Sequence, residues 1–287
     1  MHLMNKYYKK GIDKDKGYAE YENLYYNPQP QVSFTVMDQY TGYVKAVVGG
    51  RGKKNVSLSL NRATDSTRQP GSTFKILSAY APAIDTMGYT LTTTIVDEPF
   101  SYSNGRAVKN WYSGYRGKVM NICAVKTLTD ITPQLGYDYL CNFGITTLVD
   151  NRVEKNGSVS SDIQQALALG GITDGVTNLE MTAAYATIAN QGTYTRPVFY
   201  SQVIDSNGRV LLDNTTPTTH TVLKASTASL LTQGMTSVIT EGTGTSAKLD
   251  GKMPVSGKTG TTSSEYDLWF CGYTPYLTAS IWTGYDE

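Results

Sequence analysis

Two short polar motifs, more than half of the 287-residue chain apart, constrain the fold more than anything else in the sequence. The first is Arg68-Gln69-Pro70-Gly71-Ser72-Thr73-Phe74-Lys75. A serine hydroxyl is a poor nucleophile at neutral pH and needs a neighbouring base to take its proton. If Ser72 opens a helix, Lys75 stands one turn on, on the same face, where its amine reaches the hydroxyl. Pro70 and Gly71 suit a tight helix entry, and a helix N-terminus offers free backbone N–H groups. By itself this spacing is commonplace and reads as an ordinary surface helix start.

The second motif is Lys258-Thr259-Gly260-Thr261-Thr262, followed by the apolar and aromatic run Leu268-Trp269-Phe270-Cys271-Gly272-Tyr273. Small, cationic and hydroxyl residues alternating beside such a run predict a strand with one polar face. Gly260 is expected to leave room for a substrate backbone to lie against that strand. The plainer reading is an edge strand whose lysine blocks aggregation. If the two motifs act together, only the tertiary fold can join them.

Taken together, the motifs match the signature of penicillin-interacting serine acyltransferases. Their flanks extend the match: Val36-Met37-Asp38 with Thr41-Gly42, Val47-Val48-Gly49-Gly50-Arg51, and Asn61-Arg62-Ala63-Thr64. Further along come Gly175-Val176-Thr177-Asn178-Leu179-Glu180, Ala189-Asn190-Gln191-Gly192, Gly242-Thr243-Gly244 and Trp282-Thr283-Gly284-Tyr285-Asp286. From about residue 30 to its C-terminus the chain resembles the transpeptidase module of class A penicillin-binding proteins of the Gram-positive type.

That resemblance implies an α+β, β-lactamase/transpeptidase-like fold: a five-stranded antiparallel sheet with a helical subdomain inserted. It also implies two-step acyl transfer. Lys75 takes the proton of Ser72, and Ser72 attacks the carbonyl between two D-alanines of a peptidoglycan stem peptide. Backbone N–H groups of Ser72 and Thr261 form the oxyanion hole. Lys258 shares in catalysis, and Lys258, Thr259, Gly260 and Thr261 bind the substrate, chiefly its carboxylate. β-Lactams would acylate the same serine. No metal or organic cofactor is implied.

The chain departs from the family at the third motif, Ser-x-Asn. Asn110-Trp111-Tyr112 and Tyr115-Arg116-Gly117 match the segment that leads into it, but a helical stretch usual in the family is missing after Val119. Asn121 aligns with the motif asparagine, while Val119 occupies the serine position. A valine cannot relay a proton, and nothing in the spacing of Ser113 supports it as a substitute. The chain is therefore expected to keep the family fold with impaired catalysis.

Composition narrows the alternatives. A net charge of +1 and the lack of a basic stripe argue against a nucleic-acid surface. The three cysteines, Cys123, Cys141 and Cys271, lie in apolar surroundings without zinc spacing and are expected as buried free thiols. His2 and His220 are the only histidines and both stand in polar stretches, which disfavours a Ser-His-Asp triad. No apolar run is long enough for a membrane helix. The family's N-terminal anchor and glycosyltransferase module are not visible, nor is the family's usual continuation past Glu287. The expectation is a soluble fragment of an enzyme that works on the outer face of the cytoplasmic membrane.

Along the chain, residues 1–30 are expected as a linker or irregular strand pair ending at Asn27-Pro28-Gln29-Pro30, and residues 31–287 as the transpeptidase domain. Its sheet part is expected at about 31–60 and 250–287, with the helical part between. Strands are predicted at Val32–Met37, Tyr43–Val48, Pro254–Gly260 and within Leu268–Tyr285. A helix is predicted over Ser72–Thr86, an amphipathic one over Leu179–Ala189 and a third over Thr221–Thr240. Two other readings stay open. A β-lactamase-like hydrolase would need a glutamate to activate water, and Glu154 lacks the apolar helical context for that role. A non-catalytic module that binds penicillin or peptidoglycan is favoured by Val119.

Overall fold

The structure is a computed structural model that describes residues 4–13, 19–110, 112–117 and 121–286; the side chains of residues 4–13, 19–28, 121, 122 and 264 lie outside that description. Five strands build the central sheet: β3 (Gln31–Met37), β4 (Val44–Val48), β11 (Ser256–Thr261), β12 (Asp267–Tyr273) and β13 (Thr278–Gly284). Their order is β11-β12-β13-β3-β4, antiparallel throughout. The two ends of the chain thus share one sheet, as the resemblance implies.

Alternation decides which face is buried. Along β3, Gln31, Ser33, Thr35 and Met37 are buried while the residues between them are only half so. Because side chains alternate faces along a strand, directly paired residues form rows across the inner face. One row is Lys258, Cys271, Ser280 and Thr35, and the next is Gly260, Trp269, Trp282 and Ser33. Lys258 therefore shares the buried face of the sheet with the core, at its β11 edge. The β3–β4 turn falls where predicted: the Asp38 carboxylate accepts from the backbone N–H of Tyr40 and Thr41 at 2.9 and 3.1 Å.

The remaining chain packs onto that face or hangs from its rim. Preceding the sheet are β1 (Met4–Asp13) and β2 (Ala19–Pro28), which pair antiparallel through ten residue pairs where a linker or irregular pair was expected. Helices α1 (Ala81–Met87), α2 (Asn121–Ile131) and α3 (Pro133–Asn142) follow β4, then the small hairpin β5 (Arg152–Val153) and β6 (Val159–Ser160). Helix α4 (Asn178–Ala189) precedes β7 (Thr193–Thr195), β8 (Gln202–Ile204), β9 (Val210–Asp213), β10 (Thr219–Thr221) and helix α5 (Ala225–Thr240). Helix α5 starts later than predicted, because Thr219–Thr221 pairs with β7 instead.

Two predicted helices differ in character. The stretch predicted as one helix from Ser72 is composite: a 3₁₀ turn at Gly71–Thr73, a π-helical turn over Lys75–Tyr80, then α1. Pro82 supplies no N–H and its ring crowds the carbonyl four residues back, at Ser78, so a wider turn accommodates it. The Ser78 hydroxyl donates to the Phe74 carbonyl at 2.8 Å within that turn. Helix α4, expected as amphipathic, is buried on nearly all sides and lies against β13, β3 and β12. A reciprocal cap opens it: Glu180 N–H donates to Thr177 Oγ1, and Thr177 N–H donates to Glu180 Oε2.

One apolar core joins both parts, with Trp282, Tyr185, Phe74, Phe143 and Leu77 among its fully buried side chains. Cys123 and Cys271 are buried thiols as expected, whereas Cys141 is exposed, near the C-terminal end of α3. Tyr185 of α4 donates its hydroxyl to the Thr73 carbonyl at 2.9 Å, tying the central helix to the turn that bears Ser72. Replacing Tyr185→Phe leaves that carbonyl without its side-chain donor, and we expect a loss of about 1–3 kcal/mol. Urea unfolding checks this: the midpoint should fall at constant m, and an unchanged midpoint would show the bond contributes nothing.

Candidate active site

The approach to Ser72 is held on both sides by backbone. Arg68 and Val176 exchange backbone hydrogen bonds, each at 2.9 Å. The Gln69 side chain donates to the Ile172 carbonyl at 2.7 Å and accepts from the Ile172 N–H at 3.3 Å. On the other flank, the Trp269 indole donates to the Gln69 carbonyl at 2.9 Å. Asp286, just past β13, accepts from Arg62 at 2.8 Å and from Arg68 at 3.0 Å, and the Arg68 guanidinium lies 4.9 Å from the centre of the Trp282 ring. Ser72 thus emerges from a segment sewn to the sheet and to residues 172–176.

Three glycines let the backbones meet. Gly71 has φ +53, and a Cβ there would stand 2.8 Å from the Thr261 carbonyl oxygen. A Cβ on Gly170, at φ +76, would come 2.5 Å from the Gly71 nitrogen. A Cβ on Gly260 would stand 2.6 Å from the Pro70 carbonyl. The room at Gly260, expected to serve a substrate, is filled by the chain's own Pro70 and Thr73; its physical role is to seat β11 against the Ser72 turn.

The contact places the two motifs side by side. Ser72 is half-buried, and Lys75, one turn on, is only 8% exposed. Burial, with the nearby Lys258 charge adding to it and Cys123 opposing, pushes the Lys75 ammonium down to about 7. Lys258 is also held below the usual lysine range, by burial, with Cys271 opposing. Its ammonium donates to the Thr259 carbonyl at 2.9 Å. The Thr259 hydroxyl pairs with that of Thr243 at 2.6 Å, which brings the Gly242-Thr243-Gly244 loop to β11. Thr261 is exposed at the C-terminal end of the strand, its backbone beside the Gly71–Ser72 turn.

Ser72, Lys75, Lys258, Thr259, Gly260 and Thr261 are therefore brought together. Asn121 begins α2, which packs against the Lys75–Tyr80 turn, but its side chain lies outside the described residues, and so does Val119. Ser113 is exposed in the loop before α2. Glu154 follows β5 on the small surface hairpin, where Arg152 and Ser160 donate to its carboxylate at 3.0 and 2.7 Å. Thr243, Gly170 and Cys123 are site neighbours to which the sequence alone assigns no role. Only Thr243 carried a signal, as a hydroxyl between two glycines. Among the described residues no group of three or more His, Cys, Asp or Glu is placed to hold a metal, and no helix is long and apolar enough to cross a membrane.

Comparison with known proteins gives the arrangement a context. A family model described as the penicillin binding protein transpeptidase domain matches residues 32–285. The chain is 38% identical over 279 residues to penicillin-binding protein 1A of Clostridium acetobutylicum, covering 90% of this chain and 33% of that protein. It is 36% identical over 270 residues to penicillin-binding protein 1F of Bacillus subtilis, covering 89% of this chain and 35% of that protein. The chain thus spans about a third of the length of these relatives. Among solved structures, PonA1 of Mycobacterium tuberculosis in complex with penicillin V has a TM-score of 0.76 at 24% identity, covering 91% of this chain and 70% of that one. Penicillin-binding protein 1A of Haemophilus influenzae gives 0.74 at 23%, covering 93% and 45%. At these identities the structures share the fold.

The glycine contacts make a direct prediction. Gly170→Ala pushes a methyl group into the Gly71 backbone and shifts Ser72, and a misplacement of this kind costs roughly 10²-fold in reactivity. Labelling of Ser72 by a fluorescent penicillin should slow accordingly. Gly105→Ala is the comparison, since Gly105 is equally left-handed but a Cβ there would meet nothing within 4 Å. Equal labelling of the two variants would show that the close approach is not what positions the serine.

Proposed function

This chain belongs to the penicillin-binding protein transpeptidase family, and from that premise we propose that it is a serine D,D-transpeptidase module that cross-links peptidoglycan stem peptides. One observation carries the reading: Lys75 is buried a turn from Ser72, beside a second cation and against the strand that bears Thr261. An amine pushed to about 7 is largely neutral just above that pH, and so can act as a base where an ordinary lysine cannot.

In this reading Lys75 takes the proton from Ser72 Oγ as the oxygen attacks the carbonyl between two D-alanines. The backbone N–H groups of Ser72 and Thr261 receive the negative charge that forms on the carbonyl oxygen. As the tetrahedral intermediate collapses, the bond to the terminal D-alanine breaks and its nitrogen takes up a proton. The amine of a neighbouring stem peptide then attacks the ester and restores Ser72. Lys258, with Thr259 and Thr261, holds the terminal carboxylate of the donor. β-Lactams enter by the same route and remain on Ser72. Asn121, at the start of α2, is assigned to the groove by its place in the motif, and the valine at position 119 slows proton transfer.

The parent protein carries a glycosyltransferase module and an N-terminal membrane anchor in this proposal, and the module works on the cell-wall side of the membrane. The boundary between residues 1–30 and the transpeptidase domain at 31–287 belongs to the same proposal. A second reading, a module that holds stem peptides without turning them over, is favoured by Val119 alone. A hydrolase reading lacks support, because Glu154 is engaged on its hairpin by Arg152 and Ser160.

Two measurements test the proposal. Intact-protein mass after incubation with benzylpenicillin should rise by one adduct in the wild type and stay unchanged in Ser72→Ala; an adduct on both, or on neither, contradicts it. The rate of that acylation should climb with pH and reach half its plateau near pH 7, because only neutral Lys75 accepts the serine proton and its ammonium titrates at about 7. A rate that stays flat between about pH 5 and 9 would remove Lys75 from the role of base.

A further inference from the structure

Residues 95–98 lie between the loop that leads into the Ser-x-Asn segment and helix α2, and they grip both. On the helix side, the Cys123 thiol donates to the Ile95 carbonyl at 3.5 Å. Lys126 donates to the Val96 carbonyl at 2.9 Å and pairs with Glu98 at 2.8 Å. On the loop side, Asp97 accepts three hydrogen bonds: from the Asn110 amide at 2.9 Å, the Tyr112 hydroxyl at 2.7 Å and the Arg116 backbone N–H at 2.6 Å. The Arg116 guanidinium lies 4.3 Å from the centre of the Tyr112 ring and so closes the loop on itself.

Asp97 is only 4% exposed. Burial favours its neutral form, but hydrogen bonds from Arg116, Tyr112 and Asn110, helped by the Lys126 charge, outweigh burial and hold the carboxyl below its usual range. A carboxylate with three converging donors is a strong fixed point, because charge-assisted hydrogen bonds are short and directional. Asn121 lies in sequence between Arg116 and Cys123, so both flanks of the motif are tied to the same four residues.

We propose that Asp97 is a positioning residue for acyl transfer: through its hold on Asn110, Tyr112 and Arg116 it sets how helix α2, which begins at Asn121, packs against the turn that carries Lys75. This rests on the transpeptidase reading above.

The test is Asp97→Asn, which keeps the size and removes the charge and one acceptor. Rapid-mixing kinetics with benzylpenicillin separate the dissociation constant of the non-covalent complex from the acylation rate constant. The rate constant should fall about tenfold, in keeping with a small misplacement of a catalytic group. The dissociation constant should move less than about twofold, since β11 holds the carboxylate. Amide hydrogen exchange across residues 110–126 should quicken while β11 and α4 keep their protection. An unchanged rate constant overturns the positioning role, whether or not exchange quickens. Should Asp97→Asn fail to fold, Tyr112→Phe removes one donor only, and it must lower the rate constant in the same direction for the proposal to stand. Failure of wild-type Ser72 to acylate would overturn the transpeptidase reading, and hydrogen exchange would still decide whether Asp97 tethers the loop.

Discussion

Everything in the groove depends on the backbone of β11 approaching the backbone of the Gly71–Ser72 turn more closely than any side chain would permit. Gly71, Gly170 and Gly260 each face main-chain atoms at a distance a Cβ could not share. Gly71 and Gly170 also take left-handed conformations that other residues adopt only at a cost. The approach brings the Thr261 backbone beside the turn that carries Ser72. Lining up an oxyanion site is a matter of backbone position, and glycine is the residue that leaves backbone position unobstructed.

That packing also creates the electrostatics. Lys75 and Lys258 lie near each other, each withdrawn from water, and the charge on Lys258 disfavours a charge on Lys75. Two buried cations are expensive for the fold, and the cheaper state is one in which Lys75 is neutral. Cys271, directly across from Lys258 in the sheet, and Cys123, near Lys75, oppose that loss of charge.

The two motifs that the structure brings together were legible in the sequence because each is short and each residue type has few jobs: a serine and a lysine a turn apart, and a lysine beside hydroxyls on a strand. The sheet was legible too, since alternation in Val32–Met37 and the aromatic run at Leu268–Tyr273 carry period-two signals. What escaped depends on distant neighbours. The π-helical turn answers to Pro82 and to the packing of Ser78, not to local propensity. Helix α4 is rich in alanines and threonines that bury on any face, so its periodicity looked one-sided when its environment is not. Gly260 was singled out for the room it leaves, but its open side faces Pro70, which no local pattern reveals. Asp97 stood unnoticed because its three donors come from the chain thirteen to nineteen residues away.

A crystal structure of the wild-type chain soaked with benzylpenicillin would measure the backbone approach and its chemical consequence together. We predict an ester on Ser72 Oγ whose carbonyl oxygen lies within hydrogen-bonding distance of the backbone nitrogens of both Ser72 and Thr261, with the penicillin carboxylate beside Lys258 and Thr259. An adduct whose carbonyl oxygen points away from Thr261, or whose carboxylate makes no contact with β11, would contradict it.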